Sequence, residues 1–211
     1  MKDALRQQMK LRRAAQDPAE AAAASIAAQD RLIAMPAFTR AKRVACYLSA
    51  PGEVGTDRIL HACFAAGQSV VVPARRGAAS EYAWCRLTPE TVLRTGPFDI
   101  REPGRPEWTS AGEVDFAVVP GVAFDPAGRR LGHGMGIYDR LLAGEPGAFK
   151  AGLAFEWQLA REVPAGHRDV TLDAVVTERT IYGSGGRAET RPASAPALKN
   201  TKNRKGERVP S

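Results

Sequence analysis

Cysteine is scarce in this chain: Cys46, Cys63 and Cys85 are the three among 211 residues. Odd in number, far apart and set in apolar runs, they suggest neither a disulfide framework nor a zinc site, and read as reduced, buried thiols. Long hydrophobic runs are also missing. The opening stretch, "MKDALRQQMKLRRAA", is charged throughout and lacks the apolar core of a secretory signal. No segment approaches the length of a membrane span, so a soluble, cytoplasmic protein is expected. There is no internal repeat. What remains is 44% hydrophobic, ample for the core of one sizeable globular domain.

The net charge of +7 is unevenly placed. From Ser184 to Ser211, seven Lys or Arg stand against two Glu, which leaves only +2 for the first 183 residues. That C-terminal stretch is rich in Pro, Ser, Gly and Lys and poor in large apolar residues, a composition expected to stay disordered. It carries no aromatic residue interleaved for base stacking. Nucleic-acid contact is therefore expected to be at most weak and confined to this basic tail. The expected organisation is one domain over residues 1–183 and a tail over 184–211.

The first 35 residues read as two helices divided at "QDPAE", with Asp17 as cap, Pro18 at the first helical position and Glu20 at the capping-box spacing. Short apolar runs then alternate with amphipathic ones. "RVACYLS", "SVVVP", "EYAWCRL", "DFAVVP", "FKAGLAF" and "LDAVVTE" read as strands; "TDRILHACFAAG", capped by Thr56, and "MGIYDRLLAG" read as helices. Continuous rather than alternating apolar strands favour a parallel sheet covered on both faces. The fold class is thus α/β: a three-layer sandwich, Rossmann-like, with a mostly parallel sheet and additional N-terminal helices.

In such sheets ligands sit beyond the carboxyl ends of the strands. The segment "DFAVVPGVAFDPAGRRLGHGMGIYDR" occupies that place: a buried strand ending at Pro120, an irregular loop of about a dozen residues, then glycines at 132, 134 and 136 before a helix. Exposed amides at a helix start suit phosphate, and Arg129, Arg130 and His133 add positive charge nearby. Close packing alone also produces glycine-rich strand-to-helix loops. The pattern is not a Walker A loop, because no G-K-[ST] follows, nor a dinucleotide fingerprint, because the third glycine comes one residue early.

"PGVAFDPAGRRLGHGMGIYDR" resembles the signature of the 5-formyltetrahydrofolate cyclo-ligases, also called methenyltetrahydrofolate synthetases. "KDALR" at Lys2 to Arg6, "YLSAPGEVGT" at Tyr47 to Thr56 and "LDAVVTER" at Leu172 to Arg179 resemble three further blocks of that family, in order. The resemblance implies an ATP- and magnesium-dependent ring closure of 5-formyltetrahydrofolate to 5,10-methenyltetrahydrofolate, with release of ADP and phosphate. It implies that Lys2 and Arg6, one helical turn apart, hold ATP phosphates. Arg130, Leu131, Gly132, His133, Gly134, Met135, Gly136, Ile137 and Tyr138 would form the nucleotide loop, shared from His133 to Ile137 with the folate wall.

Glu53, Arg130 and Tyr138 carry the expected catalytic roles, and Arg6, Leu48 and Glu53 complete the folate site. Asp139 and Asp173 are the expected magnesium carboxylates. Trp84 and Phe124 are candidates for packing the pterin ring and Arg75 for meeting the glutamate tail, whereas His61 and His167 carry no motif. Met135 and Ile137 depart from the family pattern, Ile137 standing where a tyrosine is common. The rival readings are an RNA-associated regulatory protein on the same scaffold, and a sugar-phosphate or acyl-transfer enzyme of similar fold. A monomer acting on small molecules is expected.

Overall fold

The computed structural model describes residues 1–77, 81–96 and 100–183. The tail from 184 onward, and any part it plays in binding, lies outside the described residues. Two helices open the chain, α1 (Lys2–Ala14) and α2 (Pro18–Ile33). Asp17 divides them as the sequence predicts: its carboxylate accepts from the amides of Ala19 and Glu20, with Pro18 at the first position. A short α3 (Pro36–Thr39) leads into β1 (Arg43–Ala45). Then follow α4 (Asp57–Ala65), β2 (Ser69–Arg75), β3 (Tyr82–Leu87) and a small hairpin of β4 (Leu93–Thr95) and β5 (Arg101–Pro103).

The second half comprises β6 (Phe116–Val119), the hairpin β7 (Ala123–Phe124) and β8 (Arg130–Leu131), α5 (Ile137–Ala143), β9 (Phe149–Leu153), β10 (Ala174–Val176) and β11 (Ile181–Tyr182). Seven strands form one sheet in the order β11-β10-β9-β6-β1-β2-β3. The neighbours from β10 to β2 are parallel, and the outermost pairs, β2 with β3 and β10 with β11, are antiparallel. The expected mostly parallel α/β sheet is the one observed.

Successive side chains of the central strands enter two different apolar layers. Val44, Val70, Val72, Phe116 and Val118 pack with α2, α3 and α4, while Ala45, Val71, Ala117 and Val119 pack with α5 and the β7–β8 hairpin. Two buried faces explain why these strands read as unbroken apolar runs. Cys46, Cys63 and Cys85 are free and buried, and burial pushes the Cys63 thiol up to about 12. Among the described residues, no helix is long and apolar enough to cross a membrane.

Two local readings change. The stretch after Pro120 is not irregular: it folds back as β7 and β8, with Val122 donating to the Leu131 carbonyl at 2.7 Å. Thr56 does precede α4, but its hydroxyl donates to the Tyr47 carbonyl at 2.8 Å rather than capping the helix.

Candidate active site

The β7–β8 turn is closed by a buried carboxylate. Asp125 is fully buried and accepts from the amides of Ala127, Arg129 and Val163 at 3.0, 3.0 and 2.8 Å, and from Arg129 Nε at 2.6 Å. Four donors on one carboxylate hold the turn rigid. The chain thereby returns Arg130 to the finishing end of β6.

Arg130 is 8% exposed. Its Nη2 donates to Asp139 Oδ1 at 2.9 Å, its Nη1 to the Pro120 carbonyl at 3.4 Å, and the guanidinium lies 5.8 Å from the centre of the Tyr138 ring. Arg130 Nε and the Tyr138 hydroxyl are both buried without a partner. Unanswered buried donors are costly, and they accumulate where a ligand is to supply the acceptor.

The glycine spacing now has a cause. A Cβ on Gly132 would stand 3.0 Å from Arg130 Nη1, while Gly134 and Gly136 have φ of +106° and +62°. Backbone of that kind strongly favours glycine. Gly136 is also the N-cap of α5.

Helix α1 reaches this loop from outside. Arg6 Nε donates to the Gly132 carbonyl at 3.1 Å and Arg6 Nη1 to Asp3 at 2.6 Å; Lys2 Nζ donates to Asp169 Oδ2 at 2.8 Å. The Lys2 ammonium, followed by the Gly166 amide, holds the Asp169 carboxyl below its ordinary range. The next residue, Val170, donates its amide to Asp139 Oδ1 at 3.2 Å. Residues 166–170 therefore bring Asp169 beside Lys2 and next in sequence to the amide that meets Asp139.

Asp173 Oδ2 accepts from the Lys150 amide at 2.8 Å, where β9 and β10 begin; among the described residues its hydrogen-bond partner differs from those of Asp139. The sequence reading did not single out Asp169, the carboxylate that Lys2 meets, because "GHRDV" has no pattern to mark it. Among the described residues, no group of three or more His, Cys, Asp or Glu could hold a metal ion by protein ligands alone.

Glu53 lies in the turn beyond β1. Its amide donates to the Ala50 carbonyl at 3.1 Å and its Oε2 accepts from the Ala50 amide at 3.0 Å. Burial, then the Glu53 charge, pushes the Tyr138 hydroxyl well above its ordinary value, with Arg130 acting the other way. Burial also leads in holding His133 below its ordinary value; Glu53 opposes the shift, and Arg13, Arg6 and Arg130 add to it. The charges of Glu53, Arg130 and Arg6 thus act on His133, and those of Glu53 and Arg130 on Tyr138.

Other expected contacts are core. Leu48 and Leu131 are 5% and 1% exposed, and Trp84 and Phe124 are buried in the apolar layers. Ile137 packs against the layer that holds Leu141, whereas Met135 is 45% exposed at the lip of the loop. Arg140 Nη1 steadies that lip by donating to the Met135 carbonyl at 3.0 Å. Arg75 is exposed at the end of β2, opposite Tyr82. His61 and His167 are exposed.

A model of the 5-formyltetrahydrofolate cyclo-ligase family matches residues 1–178. The chain belongs to this family. A probable 5-formyltetrahydrofolate cyclo-ligase of Caenorhabditis elegans is 32% identical over 163 residues, covering 71% of this chain and 79% of that protein. The Mus musculus 5-formyltetrahydrofolate cyclo-ligase is 30% identical over 189 residues, covering 84% of this chain and 93% of its own. The NMR structure of Aquifex aeolicus 5,10-methenyltetrahydrofolate synthetase superposes with a TM-score of 0.76 at 30% identity, covering 93% of this chain and 98% of that one. As a cyclo-ligase family member, the chain carries the family's α/β fold together with the glycine loop and Glu53 turn described above.

Proposed function

We propose that this protein closes the ring of 5-formyltetrahydrofolate to 5,10-methenyltetrahydrofolate, using ATP and releasing ADP and phosphate. The observation that carries the reading is the pair of buried donors unanswered among the described residues, Arg130 Nε and the Tyr138 hydroxyl, beside a glycine loop that Arg6 meets from α1, with Lys2 of the same helix on Asp169. A site that concentrates cations and free donors at the finishing ends of parallel strands suits a polyphosphate.

A formyl oxygen is a poor leaving group. Transfer of the γ-phosphoryl group of ATP to that oxygen makes it a good one; N10 of the folate then attacks the formyl carbon and phosphate departs. The protein's share in such chemistry is positioning and charge neutralisation. Arg130, Arg6 and Lys2 would face the phosphates, with the loop amides from Gly132 to Gly136. Glu53, across the neighbourhood from Arg130, would orient the formyl-bearing ring. Exposed Met135 and half-buried Ile137 would offer the folate an apolar lip in place of an aromatic hydroxyl.

Magnesium fits the carboxylates present. Among the described residues, Asp139 accepts both of its hydrogen bonds through Oδ1 and Asp169 both of its through Oδ2, so one oxygen of each stays open to an ion. Two hard carboxylates, with waters and phosphate oxygens completing the shell, suit this ion. When bound, it would neutralise phosphate charge. Asp173, the second carboxylate that the resemblance implies, likewise accepts through Oδ2, from the Lys150 amide.

The test is absorbance at the methenylfolate band, roughly 360 nm, after mixing protein, 5-formyltetrahydrofolate and Mg-ATP, since phosphoryl transfer is the proposed step. A rise that requires ATP is expected. A folded protein that binds ATP yet gives no rise would remove the folate from the reading and leave the phosphate site.

A further inference from the structure

Helix α1 touches both active-site loops. Arg6 meets the glycine loop through the Gly132 carbonyl. Arg13 lies seven positions later, about two turns along the same helix. There it meets the Glu53 turn: a Cβ placed on Gly52 would stand 2.8 Å from Arg13 Cδ, 3.1 Å from Cγ and 3.4 Å from Nε. The stem of Arg13 thus occupies the space that a side chain at Gly52 would need. Gly52 itself has φ +77°, so the turn is glycine-dependent twice over, by backbone conformation and by the arginine lying on it. The contact is made mainly by methylene carbons, which long basic side chains lay along a surface while the charged head stays free.

We propose that Arg13 is a positioning residue: its apolar stem, not its charge, clamps the Glu53 turn to α1 and fixes that turn relative to the glycine loop. The inference rests on the reading above in one respect, that Glu53 faces the substrate. Glu53 follows Gly52 directly, so the stem of Arg13 lies on the turn that carries it. Helix α1 acts as a splint with Arg6 at one loop and Arg13 at the other.

The experiment compares Arg13→Ala, which removes the stem, with Arg13→Met, which keeps an apolar stem and removes the charge. Two readouts are taken on the full chain. In the first, amide hydrogen exchange over residues 50–54, without ligands, is expected to quicken in Arg13→Ala and to match the unmodified protein in Arg13→Met. In the second, kcat is expected to fall about tenfold in Arg13→Ala, the scale of a small misplacement of a reacting group, with KM for ATP unchanged; Arg13→Met restores kcat.

Equal loss in both variants would assign the effect to the guanidinium and overturn the clamp, as would unaltered exchange in Arg13→Ala. Faster exchange in Arg13→Ala with kcat intact would keep the clamp and remove Glu53 from the reaction, so the two readings fail separately. A fall in melting temperature shared by both variants does not affect the exchange comparison, which is made below both melting points.

Discussion

Where the parallel strands begin, Asp115 accepts from the amides of Lys42 and Arg43, Asp173 from that of Lys150, and Glu145 from those of Gly112 and Val114. Where they end, Arg130 and Tyr138 keep donors that no group among the described residues answers, as Glu145 keeps one free oxygen at the other edge, and Lys2, Arg6 and Arg130 are each held by a carboxylate. The same residue types serve opposite purposes at the two edges. At the starting edge carboxylates fasten strands together; at the finishing edge the outer pairs of Lys2 and Arg6 are open enough to be exchanged for a ligand, around a buried Arg130–Asp139 pair. Partly exposed ion pairs such as Lys2 with Asp169, 37% and 27% exposed, are worth at most about 1 kcal/mol and can be exchanged cheaply.

The sharpest way to break this contrast is Arg130→Met. It removes the buried cation under the glycine loop and is expected to lower kcat by two to three orders of magnitude, roughly the effect of deleting one preorganised donor to developing charge. The absorbance assay measures it, and near-native turnover would strip the finishing edge of its special character.

A paired substitution sharpens the comparison further. Asp139→Asn is expected to impair turnover and raise the magnesium requirement, whereas Asp173→Asn should lower stability by about 1 to 2 kcal/mol through a weakened bond to an amide. Turnover per folded molecule should then stay within about twofold, given the fastening role assigned to that bond. Magnesium titrations and thermal melts separate the two. Loss of activity without loss of stability in Asp173→Asn would return that residue to the metal site.

The smallest effect concerns pH. The Lys2 ammonium and the Gly166 amide depress the Asp169 carboxyl in the folded protein. Its stabilising contribution is therefore fully present above the ordinary carboxyl value and is lost as pH falls through the lowered one. Melts of the unmodified protein and Lys2→Met should differ at neutral pH and converge in acid. A constant gap across that range would place the Lys2 contribution outside this ion pair.

Much of this was legible in the residues. The unbroken runs "SVVVP" and "DFAVVP" announced strands buried on both faces, and Asp17 with Pro18 marked the helix boundary, because capping and burial are local properties. The alternating glycines pointed to a loop of special backbone, and Gly134 and Gly136 have it. The β7–β8 hairpin was not legible, since its two-residue strands carry no period and its stability comes from Asp125 receiving Val163 from a distant segment. Asp169 was equally hidden. Its partner Lys2 stands 167 positions away, and only the folded chain sets a polar turn against the first helical residue. Asp173 was easier to notice because it opens a recognisable strand, where its carboxylate accepts from the Lys150 amide.

The contacts of α1 also bear on assembly. Gly132 follows Arg6 by 126 positions and Asp169 follows Lys2 by 167. Contacts of such long sequence separation form late, because chain closure precedes any gain from them. During synthesis helix α1 waits, with its basic face open, until those partners have been delivered. The site is therefore completed only after Asp169 has been made, and a chain interrupted before it would contain the glycine loop without its full complement of anchors.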